Sequence, residues 1–328
     1  MKSSLFLPAS LALLLTAAAC SQAQNDQAAT QTDATQQTGP EQGQQAGGKK
    51  KKDKGGDRRK DKDAAAQIPG LRQVGSLKGV VSESSGLCPA DQPGTYFSFG
   101  DEGNDATLYR ISATGQLQGT LSLGTNNSDW ESLSRDDQGN YFVGDCGNNE
   151  NDRRNLVIHR FRPEQPRQVA DIKFKYPDQT AFPPEKKKAR NFDCEASLWH
   201  GGKVWLFSKD RGTDATSKVY SVPDQPGSYT AQLVTKLAIP GQVTDAALRP
   251  DGHRLVLLGR GELFVLDGNS WDEILKATPR QVSLAGAGQT EGAVFKDANT
   301  LLISTEQGSF YEFTLPFSLR LYDCSLTL

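Results

Sequence analysis

The 328-residue chain has little of what most catalytic centres are built from. Its three histidines (His159, His200, His253) form no HxH or HExxH pattern, which argues against a histidine-rich zinc site. No CxxC pair occurs, so a cysteine zinc site is equally disfavoured. GxSxG, GxGxxG and the P-loop are absent, against a serine hydrolase, a dinucleotide enzyme or a P-loop NTPase. Formal net charge is -2, so no overall field recruits nucleic acid or an acidic membrane. Apolar residues make up only 36%. What is plentiful is 32 glycines and 16 prolines, more helix breakers than a helical protein carries. The composition is that of a turn-rich β protein.

Residues 1–20, MKSSLFLPASLALLLTAAAC, combine a positive start at Lys2, an apolar core from Leu5 to Leu15 and a run of small residues. That core is too short to span a bilayer, and reads as a cleaved export signal. Cys20, directly after the small residues, resembles the cysteine of a bacterial lipobox. The resemblance implies that Cys20 is lipidated and anchors the mature chain. Ser21, in place of a retaining Asp, implies the outer membrane, its side left open. From Ser21 to Gln67 large apolar residues are almost missing, so this stretch cannot offset its ordering entropy and reads as a disordered linker. Its reach is on the order of 35–40 Å. The block from Lys49 to Asp63 holds nine Lys/Arg, but four interspersed Asp favour a spacer over a lipid-binding patch.

Beyond the linker the chain repeats. Five segments share a polar residue followed by small and apolar ones: ESSGL (83–87), DWESL (129–133), DCEAS (193–197), VTDAA (243–247) and TEGAV (290–294). Taking Ser85, Glu131, Glu195, Thr244 and Glu291 as equivalent, the intervals are 46, 64, 49 and 47 residues. After each motif comes an apolar strand ending in a polar turn, such as YFSFGDEGN (96–104) or LLISTEQG (301–308), and then an alternating strand. Units of roughly 47 residues with four strands have the size of propeller blades. The chain is therefore expected to be all-β, a five-bladed β-propeller over residues 68–316. The fifth unit lacks a fourth strand, and LRQVGSLKGVV (71–81) is expected to supply it and close the ring. Residues 317–328 fit no blade.

In a propeller the innermost strands line the channel, so Ser85, Glu131, Glu195, Thr244 and Glu291 are expected to converge on the axis. Three carboxylates at ~5 Å would repel by roughly 3 kcal/mol per pair at an effective dielectric of ~20. Protonation, water or a cation must relieve this, and an all-oxygen ring suits Ca²⁺ better than Mg²⁺. The order of the five motifs resembles the SdiA-regulated family of bacterial envelope propellers, most closely over TEGAVFKDANTLLISTEQGSFYEFTLP (290–316). The same Ser, Glu, Glu, Ser/Thr, Glu order is similar to that of the five-bladed calcium-activated nucleotidases. That resemblance implies Ser85, Glu131, Glu195, Thr244 and Glu291 as ligands of a central Ca²⁺, with Asp245 competing with Thr244 for the fourth place.

Topology adds a second set. The turns after the second strands lie on the same mouth as the motifs and supply Asp101, Asp145, Lys209, Arg211, Arg260 and Glu306 as a ligand face. The loop 176–191 is expected to bring Lys186, Lys187, Lys188 and Arg190 over it. Cys146 and Cys194 fall on neighbouring blades at this mouth and are expected to form a disulfide in an exported protein; Cys88 reads as a buried small hydrophobe. The leading functional reading is a monomeric, lipid-anchored envelope propeller with a structural Ca²⁺ and a small anionic ligand or envelope protein on its mouth. The alternative is a Ca²⁺-dependent phosphohydrolase or esterase, with no catalytic residue assigned.

Overall fold

A computed structural model of the chain describes residues 68–315. The export signal with Cys20, the linker with its basic block, and the tail from 317 all lie outside the described residues. The described residues form an all-β protein of five small sheets arranged as a five-bladed propeller.

The ring closes as the missing fourth strand requires: β1 (Leu71–Ser76) pairs antiparallel with the last strand and completes blade five. Blade one is β2 (Ser84–Pro89), β3 (Thr95–Gly100), β4 (Thr107–Ser112) and β5 (Leu117–Ser122). Blade two is β6 (Trp130–Arg135), β7 (Tyr141–Asp145), β8 (Val157–Phe161) and β9 (Ala170–Lys175). Blade three begins with β10 (Asp193–His200), β11 (Lys203–Lys209) and β12 (Thr216–Pro223). Its next segment, β13 (Gly227–Thr230), leaves the blade and pairs parallel with β9, giving blade two a fifth strand, before β14 (Gln232–Ala238) returns to β12. Blade four is β15 (Val243–Leu248), β16 (Arg254–Gly259), β17 (Glu262–Asp267) and β18 (Arg280–Ser283). Blade five is β19 (Thr290–Phe295), β20 (Thr300–Thr305), β21 (Ser309–Thr314) and β1.

Between β17 and β18 lies one helical turn, α1 (Trp271–Ile274), absent from the repeat pattern. The Ser270 hydroxyl accepts the Glu273 amide at its N-terminus, and Trp271 and Ile274 are buried against blades three and four.

The core is five separate clusters, one per seam between adjacent blades. Phe97, Phe99, Trp130 and Phe161 fill the seam of blades one and two, and Leu77, Ile111, Leu302 and Phe310 that of blades five and one. Because each sheet is covered on both faces, the second strands are apolar runs rather than alternating ones: β7 is buried along its whole length. The innermost strands β2, β6, β10, β15 and β19 pack on one another in a closed ring around the axis.

Candidate functional site at the channel mouth

Each of the five equivalent motif residues sits where the innermost strand loses register with its neighbour. The breaks fall between Ser84 and Leu87, Trp130 and Ser132, Cys194 and Ala196, Val243 and Asp245, and Thr290 and Gly292. A bulge places one residue outside the pairing ladder and re-aims its side chain. Five bulges at one level therefore release Ser85, Glu131, Glu195, Thr244 and Glu291 from ordinary strand alternation.

Four of them meet. Ser85, Glu131, Glu195 and Glu291 line a cavity of about 230 Å³ at the mouth of the channel, together with Glu83, Asp101, Lys209, Arg211, Arg260 and Glu306. The Ser85 hydroxyl donates to Glu131 Oε2 at 3.0 Å. Thr244 does not join them: it is buried, and its hydroxyl donates to the Thr290 carbonyl at 2.9 Å. Asp245 is no substitute ligand either, because its carboxylate accepts the backbone amides of Ala246, Ala293 and, more distantly, Leu87. It staples the innermost strands of blades four, five and one.

Glu195 already has its counter-charges. Lys209 Nζ lies 2.9 Å from Oε2 and Arg211 Nη2 lies 2.7 Å from Oε1. Arg211 also donates to Asp193 at 2.5 Å. Burial alone would raise the Glu195 carboxyl, but Lys209 and Arg211 hold it below its ordinary value. Glu131 has no such partner. Burial, with Glu195, Asp101 and Asp129 nearby, pushes its carboxyl well above the usual range. Burial likewise lifts Glu291 to about 7, although Lys209 and Arg260 oppose the shift. The cavity holds six carboxylates (Glu83, Asp101, Glu131, Glu195, Glu291, Glu306) against three cations (Lys209, Arg211, Arg260). Two carboxylate oxygens at the mouth, Asp129 Oδ1 and Glu306 Oε2, are buried without a hydrogen-bond donor.

Of the expected ligand face, Asp101, Lys209, Arg211, Arg260 and Glu306 reach the cavity, while Asp145 does not. Asp145 is buried and accepts from Arg153 at 2.8 Å and from the Ser128 amide at 3.2 Å. Burial would raise its carboxyl, but His159 and Arg153 hold it below the usual value. Its role is to brace the turn of blade two. The lysines of the 176–191 loop are displaced too. The loop lies against the turn at Gly212, and Lys186 and Lys188 line a different cavity, with Asp178, Asp210 and Lys218. Arg190 pairs with Glu150.

Cys146 and Cys194 are brought together as the blade geometry requires, with Cys146 Sγ 3.6 Å from the Cys194 carbonyl. The expected bridge is not formed; both are free, buried thiols, as is Cys88. The Cys146 thiol, hydrogen-bonded to Cys194 and buried, has its pKa pushed well up.

Two acids escaped the sequence reading. Asp129 and Asp193 stand two residues before Glu131 and Glu195, and both are buried at the mouth. The signal was present: the same offset holds Glu83 in the first motif and Gln289 in the fifth, and both line the cavity. The opposite mouth is a different environment, a cavity of about 610 Å³ whose walls include Leu87, Leu133, Leu198, Trp199 and Phe295. None of the expected metal or ligand-face residues lies there.

No family model matches the chain, and no curated protein does. Among solved structures it is similar to a chain of the "Crystal Structure of Mitotic Checkpoint Complex", at 11% identity and a TM-score of 0.36. The likeness covers 70% of this chain and 60% of that one, so the chain spans less than two thirds of that neighbour. The propeller assignment rests on the five sheets themselves.

Proposed function

We propose that this protein is an envelope β-propeller that binds a divalent cation, Ca²⁺, at the upper mouth of its channel and presents that mouth to a small anionic ligand or a protein partner. The observation that carries the reading is the excess of carboxylates over cations, six to three, lining a small, almost wholly polar cavity. Carboxylate oxygens suit a hard cation, and a bound one would offset the burial and the neighbouring carboxylates that raise Glu131, Asp129 and Glu291. Where such a cation binds, Ser85 and Glu131 are the expected ring residues free to hold it, since Glu291 faces Arg260 at 3.5 Å and accepts from the Gln289 amide group at 3.1 Å. Glu195 is engaged by Lys209 and Arg211, and Thr244 by a backbone carbonyl.

Arg260, 43% exposed at its side chain and only 3.5 Å from Glu291, is the cation best placed to meet an anion arriving from solvent. A phosphohydrolase would need Lys209 and Arg211 free for a phosphoryl group, and their pairing with Glu195 favours binding over turnover. Calorimetric titration of the exported chain with CaCl₂ tests the reading. One equivalent bound is expected, and no heat at millimolar Ca²⁺ would sink it. The anchoring part is tested separately: Cys20→Ser is expected to move the protein from the membrane pellet to the soluble fraction.

A further inference from the structure

We infer that the cation of this mouth sits off the propeller axis, in the seam between blades one and two, held by Asp101, Asp129 and Glu131. This rests on the reading that a divalent cation binds the mouth, and gives it an address that the five-residue ring does not.

Two pieces of chain from neighbouring blades bring these acids together. Asp101 begins the β3–β4 turn, Asp129 precedes β6, and Glu131 is the bulged residue inside β6. Asn127 fixes their relative placement. Its amide group donates to the carbonyls of Gly100 and Asp101, at 3.0 and 3.1 Å, and its side-chain oxygen accepts the Trp130 amide at 2.9 Å. One ligand oxygen from each of the three acids lies within 4.8 Å of the other two. Oxygens bound to a common Ca²⁺ at roughly 2.3–2.6 Å span separations of that size. Ser85, whose hydroxyl reaches Glu131, stands ready as a neutral donor beside them.

The second observation is independent of the clustering. Asp129 is only 6% exposed, its Oδ2 faces Arg153 at 3.6 Å, and its Oδ1 is buried with no donor at all. A buried carboxylate oxygen left without a partner is rare in a folded protein, and a cation is the partner that satisfies it. The backbone makes room for this carboxylate: a Cβ at position 147 would overlap it, and the residue there is Gly147. On the axis the situation is reversed. The Lys209 ammonium, buried against Glu195, already supplies positive charge there.

The test is calorimetric titration of the full chain with CaCl₂ after chelation, comparing two isosteric variants. Asp129→Asn is expected to weaken the affinity by roughly tenfold or more, since ligand charge sets Ca²⁺ affinity. Glu291→Gln, on the axial ring, is expected to leave it within about twofold. If Glu291→Gln weakens binding as much as Asp129→Asn does, or more, the cation is axial and the inference fails while the parent reading stands. If the wild type takes up no Ca²⁺, both fail. Should Asp129→Asn not fold in chelator, Asp101→Asn carries the comparison, with the same loss expected and an unchanged affinity overturning the seam site.

Discussion

Lys209 Nζ lies 2.9 Å from Glu195 Oε2, and the two side chains are only 2% and 3% exposed. A lysine from the end of β11, the second strand of blade three, thus reaches the propeller axis and neutralises one acid of the ring. The repulsion expected among three axial carboxylates is partly relieved by the chain's own ammonium. A buried pair of this kind adds little net stability when intact but is costly to break, because the surviving charge stays desolvated.

Lys209→Met is therefore expected to lower the unfolding free energy by about 3 kcal/mol, the lower end for a broken buried pair, since Arg211 remains beside Glu195. Adding Glu195→Gln should recover much of that loss. Urea unfolding of the two single variants and the double variant measures the coupling, and additive losses would show that the pair is not energetically linked.

Stability should depend on pH in an unusual direction. Burial raises Asp129 from 3.8 to about 6 and Glu291 from 4.5 to about 7, with Glu131 and Asp193 also pushed up. Groups whose folded pKa exceeds the unfolded value contribute stability fully below the unfolded pKa and lose it as pH rises through the folded one. In chelator, the urea midpoint is expected to fall between about pH 4 and pH 7. Glu291→Gln should flatten the upper part of that fall. A midpoint that rises across the same window would contradict the assignment.

Ring closure depends on a glycine. A Cβ at Gly75, in the irregular part of the β1–β21 pairing, would lie far inside contact with the Thr114 carbonyl oxygen. Backbone cannot swing aside as a long side chain can. Gly75→Ala is expected to cost roughly 1–3 kcal/mol, the usual range for overpacking, and to expose the edge of β21. Thermal unfolding together with light scattering reads both effects.

The thiols should be silent in the native state. Cys88, Cys146 and Cys194 are free and buried, so alkylation of the folded protein is expected to leave all three unmodified. In denaturant without reductant all three should react, and peptide mapping by mass spectrometry would reveal a Cys146–Cys194 bridge if one were present.

The five-fold repeat was legible because every blade must solve the same problem. Each needs one polar residue at the start of an innermost strand and a buried second strand, and both leave a periodic trace in the chain. The missing fourth strand of the last unit was legible for the same reason, and β1 supplies it. Departures from the repeat left no such trace. The crossing of β13 to blade two and the helical turn at Trp271 depend on which edges and gaps neighbouring blades leave open.

The site divides along the same line. The chain alone determined that Ser85, Glu131, Glu195 and Glu291 would face one another, because equivalent positions in a closed ring converge. Only the tertiary structure decided what each acid meets there. Thr244 turned to a backbone carbonyl, Asp145 was engaged by Arg153, and Lys209 reached from the second strand of blade three to the axis. Asp129, which is not one of the five equivalent positions, became, like Glu306, an acid with an unsatisfied buried oxygen. Convergence follows from periodicity, which a sequence carries. The pairing of charges follows from distances of a few ångströms between blades, which are set only when the ring has closed.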